Sequence, residues 1–402
     1  MQHKIIGLLL VTALAVTGCM EMGAPYGSGA LNQITVQAVW PDGEAPRAGA
    51  RVSIEDVTGG TTYSLETDAA GQAQTRLPNG IFRITLRDTR GTDIFNATRD
   101  RVVISNQDVS LSLELKRSNA GALVIKELYC GGCSKAPKEG NYQSDQYLLL
   151  HNNSAETTWL DGLCLGTLSP YNSIGSNPWI SDGALPDFLP VIQAVLMIPG
   201  SGKNFPLAPG EDAVVCLRGA IDHTQEYPLS VNLNLPEAFV CYDPVLLPNT
   251  TYHPAPGNLV SRDRYLVIVV KTGQANAYTL SLNSPAVILF RAPEDTDIQA
   301  YANDNTHQPQ VPGSNERVVA IPPEWVVDGL EVFFGGSSSN QKRLPETVDA
   351  GAATLSETYK GHTLMRKVDE SATAAQGYEV LQDTNNSTED FYERETQSLH
   401  ED

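Results

Sequence analysis

Short stretches in which apolar and polar residues alternate are the feature that most constrains the fold of this chain. In Val109–Leu115 every second residue is valine or leucine, and Ile34–Val39 follows the same pattern. Successive side chains of a strand point to opposite faces, so this period places the apolar residues on one face of a sheet. The sequence also contains 33 glycines and 25 prolines, which favour turns between strands. The pattern predicts an all-β protein built from β-sandwiches.

The N-terminus predicts export and lipid attachment. Lys4 precedes an apolar run, Ile5–Val16, which is too short to cross the ~30 Å hydrocarbon core of a membrane as a helix and has the length of a signal-peptide core. The run leads through two small residues into Cys19, an ending that resembles the lipobox of bacterial lipoproteins. The resemblance implies a signal peptide over residues 1–18, a diacylated Cys19 that begins the mature chain, and a lipidated tether over residues 19–30.

The charge balance excludes two classes of partner. The chain carries 27 Lys and Arg against 47 Asp and Glu, a formal charge of −20. Removal of residues 1–18, which contain one Lys and no acid, leaves 26 against 47, or −21. Nucleic acid binding needs a concentrated basic surface, and so does peripheral binding to anionic lipid headgroups. We therefore expect a well-solvated acidic surface and no nucleic acid partner.

Three turn-flanking motifs mark the region 31–117. They are Pro46-x-Ala48-Gly49-Ala50-x-Val52, Thr67-Asp68-x-x-Gly71 and Leu77-Pro78-Asn79-Gly80. The series resembles the carboxypeptidase-regulatory-like domain, a small prealbumin-type β-sandwich. In that family the module is a spacer or adaptor without catalysis. The residues agree with this implication, since the region holds no cluster of Cys and His and no paired nucleophile and base.

A larger region, 118–392, carries a second series of strand and turn motifs. The series comprises a strand that ends in Glu127, then Tyr147–Ser154, Leu160–Leu165 and Leu207–Glu211. It resembles the lamin-tail-type immunoglobulin-like domain, which implies a second, loop-rich β-sandwich.

Three further stretches of this half carry predictions of their own. Ile174–Ile198, rich in Pro, Asn and Ser, is predicted to form a surface loop, and Pro323–Phe334 is compatible with either a short helix or a strand. The polar, acidic tail 393–402 is predicted to be disordered.

The two regions together are similar to a family of Bacteroidetes lipoproteins of unknown function. The residues that carry this resemblance are Cys130–Ser134, Gly140–Tyr147, Asp161–Gly166, Arg366–Val368 and Leu381–Phe391. The resemblance implies an outer-membrane lipoprotein, on either face of that membrane. By analogy it also implies a neighbour of TonB-dependent systems for uptake of metal, haem or glycan. It brings no established active site.

Five cysteines remain once Cys19 is assigned to lipid: Cys130, Cys133, Cys164, Cys216 and Cys241. An exported chain lies in an oxidising compartment, so disulfides are expected, and an odd number leaves at least one free thiol. Cys130 could pair with Cys133 or with Cys164, and Cys216 with Cys241. A redox site is disfavoured, because the C-x-x-C motif opens no helix. A zinc site would need about four ligands, and only Cys164 and His151 could complete one in space.

No stretch of the sequence predicts catalysis or a cofactor. The seven histidines form no metal-binding spacing, Ser201 lacks the G-x-S-x-G frame, and Glu294–Asp297 lacks the remainder of an EF-hand loop. Tyr171 and Trp179 lie in predicted loops, where exposed aromatic side chains would favour an interaction surface.

We therefore predict a non-catalytic binding or accessory lipoprotein with an outer-membrane or cell-surface partner. A structural or adhesive surface module and a metal-dependent hydrolase are the alternatives, and the second of these would require a bound metal.

Overall fold

A computed structural model describes residues 31–90, 93–273, 275–337 and 339–400. The predicted signal peptide, Cys19 and the tether lie outside the described residues. Within the described residues, every helix is too short or too polar to cross a membrane.

The first unit is a sandwich of a three-stranded sheet, in the order β4-β1-β7, and a five-stranded sheet, in the order β3-β2-β5-β6-β8. In β1 the side chains of Ile34, Val36 and Ala38 are buried while the residues between them are more exposed, as the alternation predicts. The strands are β1 (Asn32–Val39), β2 (Arg51–Asp56), β3 (Thr62–Glu66), β4 (Gln72–Leu77), β5 (Gly80–Arg90), β6 (Asp93–Ile104), β7 (Val109–Glu114) and β8 (Lys116–Asn119).

The second unit is a larger sandwich with two principal sheets. One has six strands, in the order β18-β17-β12-β9-β24-β25, and the other has seven, built on β19-β15-β14-β20-β22-β23 with β21 paired to β15. Short pairs β10-β11 and β13-β16 complete it. The strands are β9 (Leu123–Tyr129), β10 (Cys133–Ser134), β11 (Asn141–Tyr142), β12 (Tyr147–Asn152), β13 (Thr158–Trp159), β14 (Cys164–Leu168), β15 (Leu189–Met197), β16 (Pro206–Leu207), β17 (Asp212–Cys216), β18 (Phe239–Val240), β19 (Val267–Lys271), β20 (Ala286–Phe290), β21 (Val319–Ile321), β22 (Val326–Phe334), β23 (Ala353–Leu355), β24 (Thr363–Arg366) and β25 (Phe391–Arg394).

Helical structure in the described residues is short. The α-helices are α1 (Ile298–Asn303), α2 (Glu370–Gln376) and α3 (Ser387–Asp390), and 3₁₀ turns cover His223–Gln225, Arg262–Arg264, Asn305–His307 and Pro323–Trp325. The predicted all-β class is therefore confirmed. Asp297, in the stretch compared with a calcium loop, accepts hydrogen bonds from the first amides of α1 and caps that helix.

The two large sheets are buried on both faces. One core lies between them and includes Leu148, Leu150 and Leu289, while separate clusters cover their outer faces, around Leu149 on one side and Ile288 on the other. A strand covered on both faces has apolar residues at successive positions, so the alternation that marks a half-exposed strand is lost. This explains why the strands of the second unit are harder to recognise in the sequence.

Two predicted bounds need correction, and the choice left open for Pro323–Phe334 is decided in favour of a strand. The stretch Ile174–Ile198 is only partly a loop, since β15 runs through its second half in the middle of the seven-stranded sheet. Pro323–Phe334 forms a 3₁₀ turn followed by β22 rather than one helix. The first unit ends with β8 at Asn119, two residues after the predicted boundary at 117.

The predicted disordered tail is also incorrect as far as residue 400. Arg394 ends β25, which pairs with β24, and Gln397 is only 3% exposed. The backbone amide of Ser398 donates to the buried Glu127 carboxylate over 3.1 Å, and its hydroxyl donates to the same carboxylate. A buried carboxylate needs such donors, and the tail supplies them.

A fully buried ion pair lies inside the second unit. The Arg343 guanidinium donates to Glu331 Oε1 from Nε at 2.9 Å and from Nη2 at 2.5 Å, and both side chains are inaccessible to solvent. The other oxygen of Glu331 accepts the backbone amides of Arg343 and Leu344. Removal of one partner would leave a buried charge without compensation.

We expect Arg343→Met to lower the free energy of unfolding by about 3–5 kcal/mol, because Glu331 would remain buried and unpaired. Urea unfolding followed by circular dichroism measures this loss. Glu331→Gln combined with Arg343→Met should recover a large part of it, since Gln keeps an acceptor for the two amides. Arg262→Met, at an exposed site, should change stability by less than about 0.5 kcal/mol. Equal losses in the single and double variants would contradict this account.

Candidate functional site

A cleft of about 900 Å³ lies where the two sandwiches meet, and both units line it. The first unit contributes the middle of β6, residues 98–101, and the second contributes two segments, residues 180–187 and residues around 340–347. Ligand sites occur preferentially at domain interfaces and have volumes of roughly 300–1,000 Å³. By size and position this cleft is the candidate functional site.

Direct hydrogen bonds fix the two walls of the cleft to each other. The backbone amide of Thr98 donates to Glu346 Oε1 over 2.9 Å, and the Thr98 hydroxyl donates to the Ala350 carbonyl over 2.7 Å. Beside them the Arg83 guanidinium lies over the Phe333 ring, 5.3 Å from its centroid, within the range of a cation–π contact. The cleft is therefore preformed.

A second set of contacts joins the units through the segment that precedes α3. Asn96 Nδ2 donates to the Thr384 carbonyl over 2.8 Å, and Asn385 Nδ2 donates to Ser118 Oγ over 3.0 Å. Gly121, in the connection between the units, donates its amide to Asp383 Oδ2 over 2.6 Å. The second unit thus binds the connection at Gly121 and the adjacent end of β8 at Ser118.

Two of the cations that line the cleft are satisfied internally. Arg83 pairs with Asp100 at 2.5 Å and with Glu55 at 3.2 Å. Lys342 Nζ donates to two backbone carbonyls, those of Asp349 and Gly351, each over 2.5 Å. These two cations stabilise the walls and are not available to a ligand without loss of those bonds.

The other cations that line the cleft, Arg99, Arg101 and Lys116, are exposed, and so are the acids Asp187 and Glu324 on the opposite wall. The Arg99 side chain makes no hydrogen bond or ion pair with a described residue, and the Lys116 side chain makes only a loose pair with the exposed Glu114 at 3.7 Å. Glu346 lies near both. Burial raises the pKa of Glu346, while the hydrogen bond from Thr98 and the nearby cations oppose the rise. Five cations and four acidic side chains line the described part of the cleft, a small excess of positive charge in a chain of formal charge −20.

The connection between the units also contacts a buried cluster of four charged side chains, because Asp383, which accepts the Gly121 amide, belongs to that cluster. Arg366 donates to Asp328 Oδ2 over 2.6 Å and to Asp383 Oδ1 over 3.2 Å, and it lies 3.6 Å from Asp390. Its Nε donates to the Ile125 carbonyl. One guanidinium therefore faces three carboxylates in a site where all four side chains are at most 3% exposed.

Because this site is buried and three carboxylates face one guanidinium there, the pKa values of two of them are raised. Burial raises the pKa of Asp328 to about 7 and that of Asp390 to about 6; Arg366 opposes both rises and Asp383 adds to them. A carboxyl group whose pKa is higher in the folded state than in the unfolded state stabilises the fold when the pH is below its pKa in the unfolded state. This contribution is lost as the pH rises through its pKa in the folded state.

We therefore expect this cluster to lower stability as the pH rises from about 4 towards 8, by an amount on the order of a few kcal/mol. Urea midpoints measured between pH 5 and pH 8 report the slope. Asp328→Asn removes one titrating group and should flatten it, whatever its effect on absolute stability. Asp263→Asn, at an exposed position, should leave the slope as in the unmodified chain. An unchanged slope in Asp328→Asn would show that the cluster does not titrate in this range.

The five predicted disulfide cysteines are all free and buried in the structure. Cys130 packs in the core between the large sheets, whereas Cys133 Sγ lies 3.7 Å from Asp145 Oδ2. Cys164 lies on the outer face of the seven-stranded sheet. Cys216 and Cys241 are joined by a backbone hydrogen bond, but their side chains belong to cores on opposite faces of the six-stranded sheet. The pairings considered from the sequence do not occur.

Burial also suppresses the reactivity of these thiols. It raises the pKa of Cys130, Cys133 and Cys164 to about 12, and it raises the pKa of Cys216 and Cys241 further. Because the thiolate is the reactive species, the C-G-G-C motif is not a redox site in this arrangement. The thiols instead pack as small apolar side chains.

We expect the native protein to resist alkylation at all five positions. Treatment with iodoacetamide at pH 7.5 should label none of them in the folded chain, and labelling in urea without reductant should modify all five, as read by peptide mass spectrometry. Disulfide-linked peptides in a non-reducing digest, or fast labelling of Cys130 or Cys133 in the native state, would contradict the structure.

One group of acidic and histidine side chains in the described residues has the spacing of an ion site: His151, Asp212 and Glu379. Lys126 Nζ lies 2.6 Å from both carboxylates, where a metal ion would otherwise bind. His151 faces Asp212 Oδ1 through Nδ1 at 2.6 Å and the Glu379 carbonyl through Nε2 at 2.9 Å. Burial would raise the pKa of Asp212, but the hydrogen bonds from His151 and Lys126 outweigh it and the pKa is lowered.

This group forms ion pairs and hydrogen bonds that hold the segment around Glu379 against β9 and β12. None of the cysteines joins it, and Cys164, considered with His151 as a zinc ligand, lies in the other sheet.

The two aromatic residues considered as an interaction surface differ from each other. Tyr171 is half-buried and its hydroxyl lies 2.9 Å from Thr279 Oγ1. Trp179 is only 8% exposed and packs edge-on against Phe188, so it belongs to a core.

Comparison with known proteins bears on the second half of the chain. Residues 208–398 match the family model described as "Protein of unknown function (DUF4876)". A crystal structure of a DUF4876 family protein from Bacteroides thetaiotaomicron VPI-5482 is 24% identical, with a TM-score of 0.58, over 90% of this chain and 94% of that chain. This likeness shows the fold. The predicted resemblance to a Bacteroidetes family of unknown function is confirmed to this extent; lipid attachment and the two domain resemblances stay predictions.

Other solved structures are less similar. A DUF3823 family protein from Parabacteroides merdae is 12% identical over 39% of this chain and 77% of that chain, with a TM-score of 0.18. The minor pilin GBS52 of Streptococcus agalactiae is 17% identical over 22% of this chain and 45% of that chain, with a TM-score of 0.19. Scores this low carry no argument about fold or function. No curated protein matches the chain.

Sequence reasoning missed the cleft altogether. Its walls come from positions as far apart as Arg99 and Glu346, which no local motif connects. One signal was available: in a chain of formal charge −20, the stretch Arg99–Arg101 places two arginines around a single acid. Such a local reversal of charge is a reason to look for a binding surface.

Proposed function

We propose that this protein is a non-catalytic binding lipoprotein whose ligand site is the cleft between the two sandwiches. The observation that carries the proposal is that a cleft of about 900 Å³ is lined jointly by both units. Hydrogen bonds from Thr98 to Glu346 and Ala350 hold its walls together. A preformed site of this kind loses little conformational freedom when a ligand binds.

The absence of catalysis in this proposal rests on how the reactive side chains are used. Lys126 neutralises the group formed by His151, Asp212 and Glu379. The buried thiols have raised pKa values. In the cleft, Glu346 accepts the backbone amide of Thr98, and the Thr98 hydroxyl donates to the Ala350 carbonyl. These arrangements support binding rather than chemistry at the described residues.

The anchor in this proposal is the fatty-acylated Cys19. The signal-peptide pattern supports it, and the resemblance to Bacteroidetes lipoproteins supports an outer-membrane location with a receptor of a TonB-dependent uptake system as partner.

Hydrogen–deuterium exchange on the mature lipidated chain in detergent tests the site. We expect slower exchange around residues 98–101 and 340–347 when the protein is mixed with at least one of four probes: haem, Zn²⁺, a pool of oligosaccharides or a pool of peptides. Thr347→Trp, which puts a large ring on an exposed position of the cleft, should abolish the protection because it fills the space.

Thr157→Trp is the matched control, since Thr157 is exposed on a loop outside the cleft; it should leave the protection unchanged. Protection confined to other parts of the chain, or no protection with any of the four probes, would refute the cleft as the ligand site. A parallel Cys19→Ala chain that still carries radiolabelled palmitate in cells would refute the anchor.

A further inference from the structure

The edge of one strand lies uncovered in the cleft. Strand β8 pairs with β6 only from Asp93 to Asn96, although β6 continues to Ile104. Beyond Asn96 no described strand pairs with β6 on that side. The amide of Thr98 on this edge is occupied by Glu346, and residues 99–101, which follow it, line the cleft. An uncovered strand edge presents backbone groups that can pair with an added extended segment.

A bulge limits how far such a segment could pair. The register with β5 shifts between Phe82 and Ile84, and Arg101 in the extra length of β6 has a positive φ of 57°. A bulge turns the edge of a strand. Pairing is therefore confined to a few residues, and contacts made by side chains have to supply most of the affinity and the specificity.

The exposed cations of the cleft, Arg99, Arg101 and Lys116, lie on the wall formed by the first unit, whereas the exposed acids Asp187 and Glu324 lie on the wall formed by the second unit. Arg99 and Lys116 are exposed there, whereas Arg83 and Lys342 are already bound within the protein. The whole chain has a formal charge of −20, and a charge of this sign repels a long polyanion at a distance. The wall formed by the first unit therefore suits a ligand with a few acidic groups rather than a nucleic acid or a densely sulfated polymer.

The apolar part of the cleft is aliphatic. Ile81, Ile180 and Leu185 contribute to its lining, and no Trp, Tyr or Phe is among the described residues that line it. Bases bind by stacking on aromatic rings, so this lining is unsuited to them. Aliphatic surface next to cations fits a segment in which apolar and acidic side chains both occur.

We propose that the cleft receives an extended polypeptide segment with acidic and aliphatic side chains, which pairs briefly with the edge of β6 and places its carboxylates at Arg99 and Lys116. The inference rests on the proposed function, because it names the class of ligand for the same site. Addition of a strand at a sheet edge gives affinity through the backbone, and the flanking side chains give specificity.

Fluorescence anisotropy with defined peptides tests this inference on the mature chain. The probe is a fluorescein-labelled nonapeptide in which Glu alternates with Val or Leu, and the comparison peptide has Lys in place of Glu. We expect the acidic peptide alone to bind. Arg99→Glu combined with Lys116→Glu should weaken it by about tenfold or more, because two attractive ion pairs become repulsive. A form of the peptide with methylated backbone nitrogens should also bind more weakly.

The matched control is Arg262→Glu combined with Lys203→Glu, which changes the net charge equally at exposed positions outside the cleft; it should stay within about twofold of the unmodified chain. Equal binding of the acidic and basic peptides, or equal losses in the two double variants, would overturn the inference.

The outcomes separate this inference from the proposed function. If a uronate oligosaccharide, and no peptide, protects residues 98–101 and 340–347 from exchange, the polypeptide class is wrong and the binding function stands. If no probe protects these segments, both fail.

Discussion

The arrangement of the two sandwiches depends on the buried cluster around Arg366. Its single guanidinium meets three aspartates, and each of these also accepts a backbone amide: Asp328 from β9, Asp383 from the connection between the units, and Asp390 from the segment before α3. One cation thereby joins the start of the second unit to its last strands. Because the connection is bound in the same place, the first sandwich is held in a defined position, and a cleft of defined shape results.

The excess of carboxylates over cations in this cluster affects the stability of the contact between the two units. With all three ionised, two negative charges would lie uncompensated in a low-dielectric interior, which is costly. Protonation of Asp328 or Asp390 relieves this cost. We therefore expect the contact between the units to depend on pH in a range close to neutrality. The ion pair of Arg343 with Glu331 contains one cation and one carboxylate, so it has no excess negative charge.

Most strands of the first sandwich could be predicted from their alternation, whereas several buried strands of the second were recognisable only as apolar runs, for a reason that Leu148–Leu150 illustrates. These three residues are all buried, because clusters cover both faces of the six-stranded sheet. The alternation then disappears, and such a strand can be recognised only as a short apolar run between turns. Strand β15 was hidden for a related reason: its long preceding segment, rich in turn-forming residues, obscured a short apolar run. Buried charges such as Glu127 were equally invisible, since their partners lie far away in sequence.

The candidate site lies beyond sequence reasoning because it belongs to neither unit alone. Residues of β6 are ordinary strand residues in the first sandwich, and the segment around Glu346 is an ordinary connection in the second. Only their contact through Thr98 and Ala350 makes a cleft. That contact uses the amide and hydroxyl of Thr98 at the start of the unpaired edge of β6, directly before Arg99, which is exposed in the cleft. Complementary charge at such a position raises the rate of encounter with an acidic ligand more than it raises the affinity.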